Sequence, residues 1–229
     1  DVLGSRGLGD VYKRQVNDVR SQVKEWKKQG LKVGLVPTMG YLHEGHESLI
    51  RKASKENDKV VVSIFVNPTQ FGKNEDLGSY PRDLERDIEV CTRGRATAIF
   101  NPEVEEMYCD NASTFVNITG LTEGLCGASR PIHFRGVCTV VSKLFNIIPA
   151  DRAYFGEKDA QQLAVIKRMV RDLNIDIDVV GCPIIREEDG LAKSSRNTYL
   201  SLEERSSATI LNKSLTLAKE ALNNGELSL

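Results

Sequence analysis

The sequence lacks the features that would mark a membrane protein, a disulfide scaffold or a nucleic-acid binder. No apolar run approaches the roughly 20 residues that a bilayer-crossing helix needs, and no signal-peptide pattern is present. Neither sign of charge is in excess: 31 basic residues face 32 acidic ones, for a formal net charge of −1. Nothing in that balance forms a polybasic or polyacidic tract, so small molecules are the expected partners, with no nucleic acid and no membrane. The five cysteines, at 91, 109, 126, 138 and 182, are odd in number and contain no Cys-x-x-Cys pair. They are expected to be reduced residues of the core, and a cytoplasmic location is expected with them. Only three histidines occur in 229 residues, which leaves little material for a metal cage.

Two of those histidines fall in one turn. Pro37-Thr38-Met39-Gly40-Tyr41-Leu42-His43-Glu44-Gly45-His46 lies between a short apolar run, 33–36, and a segment in which Leu49, Ile50 and Ala53 share a helical face with His46. The first N–H groups of such a helix have no intrahelical partner and point at whatever occupies the turn. Histidines three residues apart near a helix start share a face, so two imidazoles and a positive helix end converge on one anion. Zinc is disfavoured, because the zinc-protease pattern requires two histidines four apart with a glutamate between them and a third ligand, and only His133 is left to supply one. A purely structural pair is disfavoured by the surrounding glycines, which give the rings no apolar core to fill.

Apolar strands alternate with amphipathic helices between residues 32 and 182, which argues for an α/β fold with a parallel sheet covered on both faces. A first helix opens at Val16 and closes at Gly30. Residues 60–66 form the strongest strand pattern, followed by a helix over 82–92, a weaker strand over 96–100 and a short extended piece over 114–118. A helix over 137–148 ended by Pro149 comes next. Residues 153–155, a helix over 160–173 and residues 177–180 complete the alternation. Ser201 and Glu204 make a capping box for a helix that reaches about Asn223. Residues 1–15 lack a starting Met and show no sustained periodicity, and are expected to be a non-native or disordered leader. The main domain is expected over 16–182, and 183–229 is expected to be the incomplete start of a small C-terminal domain.

In open α/β sheets, ligands bind outside the carboxyl ends of the strands. The histidine turn follows the first strand of this set, and Asn67-Pro68-Thr69-Gln70 follows the second. Gly156-Glu157-Lys158-Asp159 follows the fourth, and Ile185 and Arg186 follow the last, so all four segments open on one edge. Each is an ordinary turn or solvated run by itself; their convergence is what points to a site. Lys193-Ser194-Ser195-Arg196-Asn197 adds two hydroxyls and two cations suited to a triphosphate.

His-Glu-Gly-His resembles the first signature of the nucleotidylyltransferase superfamily, a HIGH-type nucleotide site. Taken with Ser63-Ile64-Phe65-Val66-Asn67-Pro68-Thr69-Gln70-Phe71, Tyr80-Pro81-Arg82, Phe155-Gly156-Glu157-Lys158-Asp159 and Asp189-Gly190-Leu191-Ala192-Lys193-Ser194-Ser195-Arg196-Asn197, the chain from about Val16 onward resembles the pantothenate synthetases, AMP-forming pantoate–β-alanine ligases. That resemblance implies a Rossmann-like doubly wound parallel sheet and a two-step reaction. Pantoate would attack the α-phosphorus of MgATP, and β-alanine would then displace AMP from pantoyl adenylate. It also implies a homodimer, for which the region 107–125 is the candidate contact.

Carried over residue by residue, the resemblance places Met39, Gly40, Tyr41, Leu42, His43, Glu44, Gly45 and His46 at ATP, with His46 as proton donor and His43 as its phosphate-contacting neighbour. Gly156, Glu157, Lys158 and Asp159 would hold the nucleotide, Lys158 on a phosphate and Asp159 toward the ribose. Ile185 would offer its backbone to adenine, and Lys193, Ser194, Ser195 and Arg196 would close over the triphosphate. Gln70 and Gln162 would hold pantoate, Gln70 would also meet β-alanine, and Asp87 would be the Mg²⁺ ligand. Two positions depart from the pattern: Lys193 stands where relatives often carry Met, and Ile132 where they often carry a small residue. Relatives also continue past Leu229 into a lid. Two other readings stay open at this point: a nucleotidylyltransferase that activates a different acid, and a non-catalytic nucleotide-binding fragment.

Overall fold

The structure, a computed structural model, describes residues 12–226. Its elements run β1 (Tyr12–Lys13), α1 (Val16–Lys28), β2 (Val33–Thr38), α2 (Glu44–Glu56), β3 (Lys59–Ile64), α3 (Leu84–Gly94), β4 (Ala98–Phe100), α4 (Val104–Met107), α5 (Leu125–Ser129), α6 (His133–Ile147), β5 (Arg152–Gly156), α7 (Ala160–Asp172), β6 (Asp178–Cys182), α8 (Leu202–Ser207) and α9 (Ile210–Asn223). The six strands form one sheet in the order β1-β4-β3-β2-β5-β6, and every pairing is parallel.

The central strands are apolar on both faces, and the side-chain alternation divides the core in two. Leu35, Val61, Phe100 and Phe155 point to the side covered by α1, α6 and α7. Val36, Val60, Val62, Ile99 and Tyr154 point to the side covered by α2 and α3. Helix α6 has only Arg135, Lys143 and Asn146 outside its buried set, so it is a central element enclosed almost all round. The chain winds outward from β2 through β3 and β4, then returns to β5 and β6 on the other side of β2. That reversal leaves a crevice between the carboxyl ends of β2 and β5, the place where such sheets take ligands.

Several boundaries differ from the sequence expectations. Tyr12 and Lys13, placed in the expected leader, pair with Ile99 and Phe100 and extend the sheet, and Tyr12 donates to Asn101; residues 1–11 lie outside the described residues. Helix α6 begins four residues before its expected start, because Gly136 and His133 sit in its first turn against the Pro68–Gln70 3₁₀ turn. The extended piece over 114–118 pairs with no strand among the described residues; it is pinned where Val116 donates its N–H to Thr139 Oγ1 on α6. The Ser201–Glu204 capping box is present, but the helix it opens breaks after Ser207 and restarts at Ile210. Cys109 is exposed, unlike Cys91, Cys138 and Cys182.

Gly136 marks a very close approach between α6 and the Pro68–Gln70 turn. A Cβ there would lie 2.4 Å from the Thr69 carbonyl oxygen and 2.5 Å from Gln70 Cα. Gly136→Ala is therefore expected to destabilise the fold by at least about 2 kcal/mol, as overpacking against backbone does. A urea midpoint unchanged from the parent protein would show that α6 can yield at this point.

Candidate active site

The turn after β2 is held from outside at nearly every polar backbone atom. Gly40, at φ 82°, and Tyr41, at φ 50°, both lie in the left-handed region. A Cβ on Gly40 would fall 2.9 Å from Asp87 Oδ2 and 3.1 Å from Ile64 Cγ2, so the position requires glycine for space as well as for φ. Gly40 N–H donates to Thr38 Oγ1 at 3.2 Å. Tyr41 and Leu42 N–H donate to the two carboxylate oxygens of Asp87 at 3.0 and 2.6 Å. The Tyr41 carbonyl accepts from Ser195 Oγ at 3.1 Å, and the Leu42 carbonyl from Arg86 Nε at 3.1 Å.

The histidines then start α2. His43 is its N-cap, and its Nδ1 accepts from Gly45 N–H at 3.1 Å; His46 Nδ1 accepts from His43 N–H at 3.3 Å. This reciprocal pair is a capping box built from imidazoles, where serine and glutamate are usual. A neutral ring that accepts at Nδ1 carries its proton on Nε2. Both rings, with centroids 4.2 Å apart, thus turn an N–H donor away from the helix. Burial pushes the His43 pKa down to about 4, helped by Lys158, Lys193 and Arg86 and opposed by Glu44. Burial pushes His46 down to about 3, with His43 and Lys158 adding to it. At neutral pH both are uncharged donors.

Met39, His43, Gly45 and His46 line one cleft with Gln70, Gly156, Lys158, Asp159, Gln162, Ile185 and residues 193–196. The structure therefore gathers four strand-end segments and the polar loop into a single space. Gln70 is buried, its Nε2 donating to Met39 Sδ and its Oε1 accepting from Asn67 Nδ2. Asn67 in turn is held by Tyr108 and by the Gly136 carbonyl. Val137, Val140, Val141 and Leu144 of α6 supply an apolar wall opposite these amides. Lys193 N–H donates to the Ile185 carbonyl at 2.9 Å.

Several expected contacts are reassigned by this geometry. Leu42 is fully buried beneath the sheet, and the Tyr41 ring lies 4.7 Å from the Arg86 guanidinium rather than in the cleft. Gly40 opens on a neighbouring pocket, and Glu44 and Glu157 do not line the cleft. Lys193 is not a free cation: its Nζ sits 3.2 Å from Glu44 and 2.7 Å from Glu187. Arg196 grips Asp76 through two bonds of 2.9 and 3.0 Å. Ser195 spends its hydroxyl on the Tyr41 carbonyl. Asp87, expected as the Mg²⁺ ligand, does not line the cleft, and each of its oxygens accepts a backbone N–H. Among the described residues no group of three His, Cys, Asp or Glu could cage a metal ion.

The sequence reasoning missed the α6 wall, because a pocket-lining valine follows the same helical period as a core valine. It also missed Asn67 and His133 as supports of Gln70. His133 Nδ1 lies 3.1 Å from the Gln70 carbonyl oxygen, and Arg130 pairs with Glu75 beside it.

A doubly wound parallel sheet with an imidazole pair at the helix following its central strand, and a lysine across the switch point, is an arrangement suited to the phosphates of a nucleotide. Comparison with known proteins narrows it further. Residues 12–228 match the family model described as pantoate-beta-alanine ligase, and the chain belongs to that family. It is 99% identical over 216 residues to a pantothenate synthetase of Enterococcus faecalis, covering 94% of this chain and 77% of that one. The structure of pantothenate synthetase from Thermus thermophilus is similar at 49% identity, with a TM-score of 0.90 over 94% of this chain and 76% of that one. A pantoate-beta-alanine ligase from Francisella tularensis, solved in complex with β-γ ATP and β-alanine, is similar at 40% identity and a TM-score of 0.84, covering 89% and 78%.

The neutral histidines make stability depend on pH. A ring that protonates near 6.5 when unfolded but only near 4 when folded draws protons into the unfolded chain, so its contribution is present above about 6.5 and is lost as pH falls toward about 4. The urea midpoint is expected to drop between pH 7 and pH 5. His43→Asn, which retains a good N-cap acceptor, is expected to keep the pH 7 midpoint and to reduce the drop. An equal drop in both proteins would show that His43 is not the group responsible.

Proposed function

We propose that this chain condenses pantoate with β-alanine, with ATP as the activating substrate, and that both steps occur in the one cleft. The observation that carries the reading is the juxtaposition of an anion-binding histidine pair with a small chamber, apolar on one wall and amide-lined on the other. Pantoate is a short hydroxy acid with two methyl groups on a quaternary carbon. Its methyls suit Val137, Val140, Val141 and Leu144, and its oxygens suit Gln70 and Gln162.

In the first step a pantoate carboxylate oxygen bonds to the α-phosphorus of ATP as the α–β P–O bond breaks, and pyrophosphate leaves with the electron pair. In the second, the β-alanine amine attacks the acyl carbon, the C–O bond to phosphate breaks, and AMP leaves as the nitrogen loses a proton. Both steps depend on alignment and on stabilising negative charge that grows on phosphate oxygens. The Nε2–H groups of His43 and His46 and the Lys158 ammonium supply that stabilisation. A His46 held neutral acts by hydrogen bonding, and binding of a polyanion would raise its pKa. Ile185 N–H would meet the adenine, and Asp159 would face the ribose. Ser194 and Arg196 would close on the phosphates, and the segment from 183 covers that side of the cleft.

Mg²⁺ would travel with ATP. With Asp87 occupied, its partners would be phosphate oxygens and water, the coordination hard Mg²⁺ favours, with Asp159 as the one cleft carboxylate near them. A homodimer through the region 107–125 is supported by exposed Phe115, Leu121 and Leu125. A cytoplasmic location agrees with the finding that no described helix is long and apolar enough to cross a membrane.

The deciding assay is pantoate-dependent exchange of labelled pyrophosphate into ATP without β-alanine. Exchange is expected; its absence despite measurable ATP binding would remove acyl-adenylate chemistry. In the same assay Gln162→Ala is expected to raise the pantoate KM by about tenfold, the cost of one lost hydrogen bond, and to leave the ATP KM nearly unchanged. A selective ATP defect would overturn the assignment of Gln162. His46→Ala is expected to lower the exchange turnover by about a hundredfold or more, with a much smaller loss in ATP binding; equal losses would make His46 a ground-state contact only.

A further inference from the structure

Asp87 lies on α3, outside the substrate cleft, and is 2% exposed. No lysine or arginine forms an ion pair with its carboxylate among the described residues. Keeping an unpaired carboxylate buried is costly unless its oxygens are hydrogen-bonded, and burial raises its pKa above the ordinary carboxyl value. It also sets a negative charge behind a turn that, in the reading above, binds a polyanion. For nucleotide affinity alone a neutral residue would serve better.

What the carboxylate provides is a pair of acceptors in one plane. The Tyr41 and Leu42 N–H groups are consecutive donors that converge on α3, and each takes a different oxygen of Asp87, at 3.0 and 2.6 Å. An ionised carboxylate is acceptor-only and can satisfy both; an amide has one oxygen and would face the second donor with its NH₂. The neighbouring Arg86 completes the hold by donating to the Leu42 carbonyl, with its guanidinium over the Tyr41 ring. From the other side Ser195 takes the Tyr41 carbonyl. The two peptides that lead directly into His43 therefore have all their polar groups assigned to side chains from elsewhere in the chain. Those peptides set the direction from which His43 enters its capping position, and His43 N–H in turn fixes the His46 ring.

We propose that Asp87 is a positioning residue for the ligation: by receiving the Tyr41 and Leu42 N–H groups it sets the angle at which His43 and His46 meet the phosphates. This rests on the adenylate-forming reading above. The role differs from general stabilisation of α3. That helix has its own cap, where Asp83 Oδ1 accepts from Arg86 N–H.

The test measures pyrophosphate exchange, active-site concentration and melting temperature for the parent protein, Asp87→Asn, Asp87→Ala and Asp83→Ala. Asp87→Asn keeps one acceptor and the shape, and serves if Asp87→Ala does not fold. Asp83→Ala removes the helix cap and touches no group of the turn. Asp87→Asn is expected to lower kcat per active site about a hundredfold, the scale of a misplacement near 1 Å, with the pantoate KM within about twofold. Asp83→Ala is expected to lower the melting temperature and leave kcat and both KM values unchanged. Nitrogen-15 NMR of the histidines is expected to show Nε2–H on both rings in the parent and a mixture of tautomers in Asp87→Asn. Parent-like kcat in Asp87→Asn overturns the proposal, as does activity lost only in proportion to folded protein. Parent protein without exchange would instead remove the adenylate reading itself, a separate result.

Discussion

Each imidazole in this site has one nitrogen committed to the backbone of its own turn, and that commitment shapes the chemistry of the cleft. With Nδ1 of His43 and His46 accepting from Gly45 and His43 N–H, the ring orientation, the tautomer and the start of α2 are fixed together. The remaining nitrogens become two donors on rings tilted 45° to each other. Because burial keeps the rings neutral, no charge has to be hidden while the cleft is empty, and Lys158 can stay close to both. Positive potential then comes from the Lys158 ammonium, 3.6 Å from Asp159, and from the fixed dipoles of the helix start.

The sheet delivers the groups that meet these donors. The reversal of strand order at β2 brings Gly156–Asp159 beside the histidine turn although more than a hundred residues separate them. Asn67, at the end of β3, locks Gln70 from below, while Gly136 allows α6 to approach closely enough for its valines to form the opposite wall. In the proposed reading a small acid would sit between them, beside the α-phosphate. Position along the strand ends and depth of the apolar wall are thus separate controls, one set by β2 and β5, the other by α6.

Much of this was legible because the relevant signals are local. Apolar runs gave the strands, since residues buried on both faces admit almost nothing else, and the turn segments at their ends follow from parallel topology. The place of the imidazole pair at a helix start was also legible, and the structure has it as the capping box of α2. What was not legible depends on which polar group meets which. Asp87 looks in sequence like any acidic residue in a first helical turn, and only the approach of Tyr41 and Leu42 shows that its oxygens are spent. Lys193 reads as a phosphate ligand until Glu44 and Glu187 are seen on either side. The valines of α6 carry the same helical period whether they face protein or substrate. The break between α8 and α9 leaves Leu202, Ile210, Leu211 and Leu215 exposed, an outcome that a clean capping box gave no reason to expect.

The Arg196–Asp76 fork gives nucleotide entry a particular character. Its guanidinium is already matched by a carboxylate with the same planar, two-oxygen geometry that a phosphate presents, Tyr199 adds a bond to that carboxylate, and Lys193 is likewise matched by glutamates. In the proposed reading, engagement of a triphosphate by Arg196 would be an exchange of anions within the protein rather than the capture of an anion by a bare cation. Few mobile counterions would be released in such an exchange, so ionic strength would have little hold on it, and a stray inorganic phosphate would have to displace Asp76 with only a fraction of the contacts a nucleotide brings. The fork would then act as a selectivity filter made of charge balance, open only to a ligand that also binds elsewhere in the cleft.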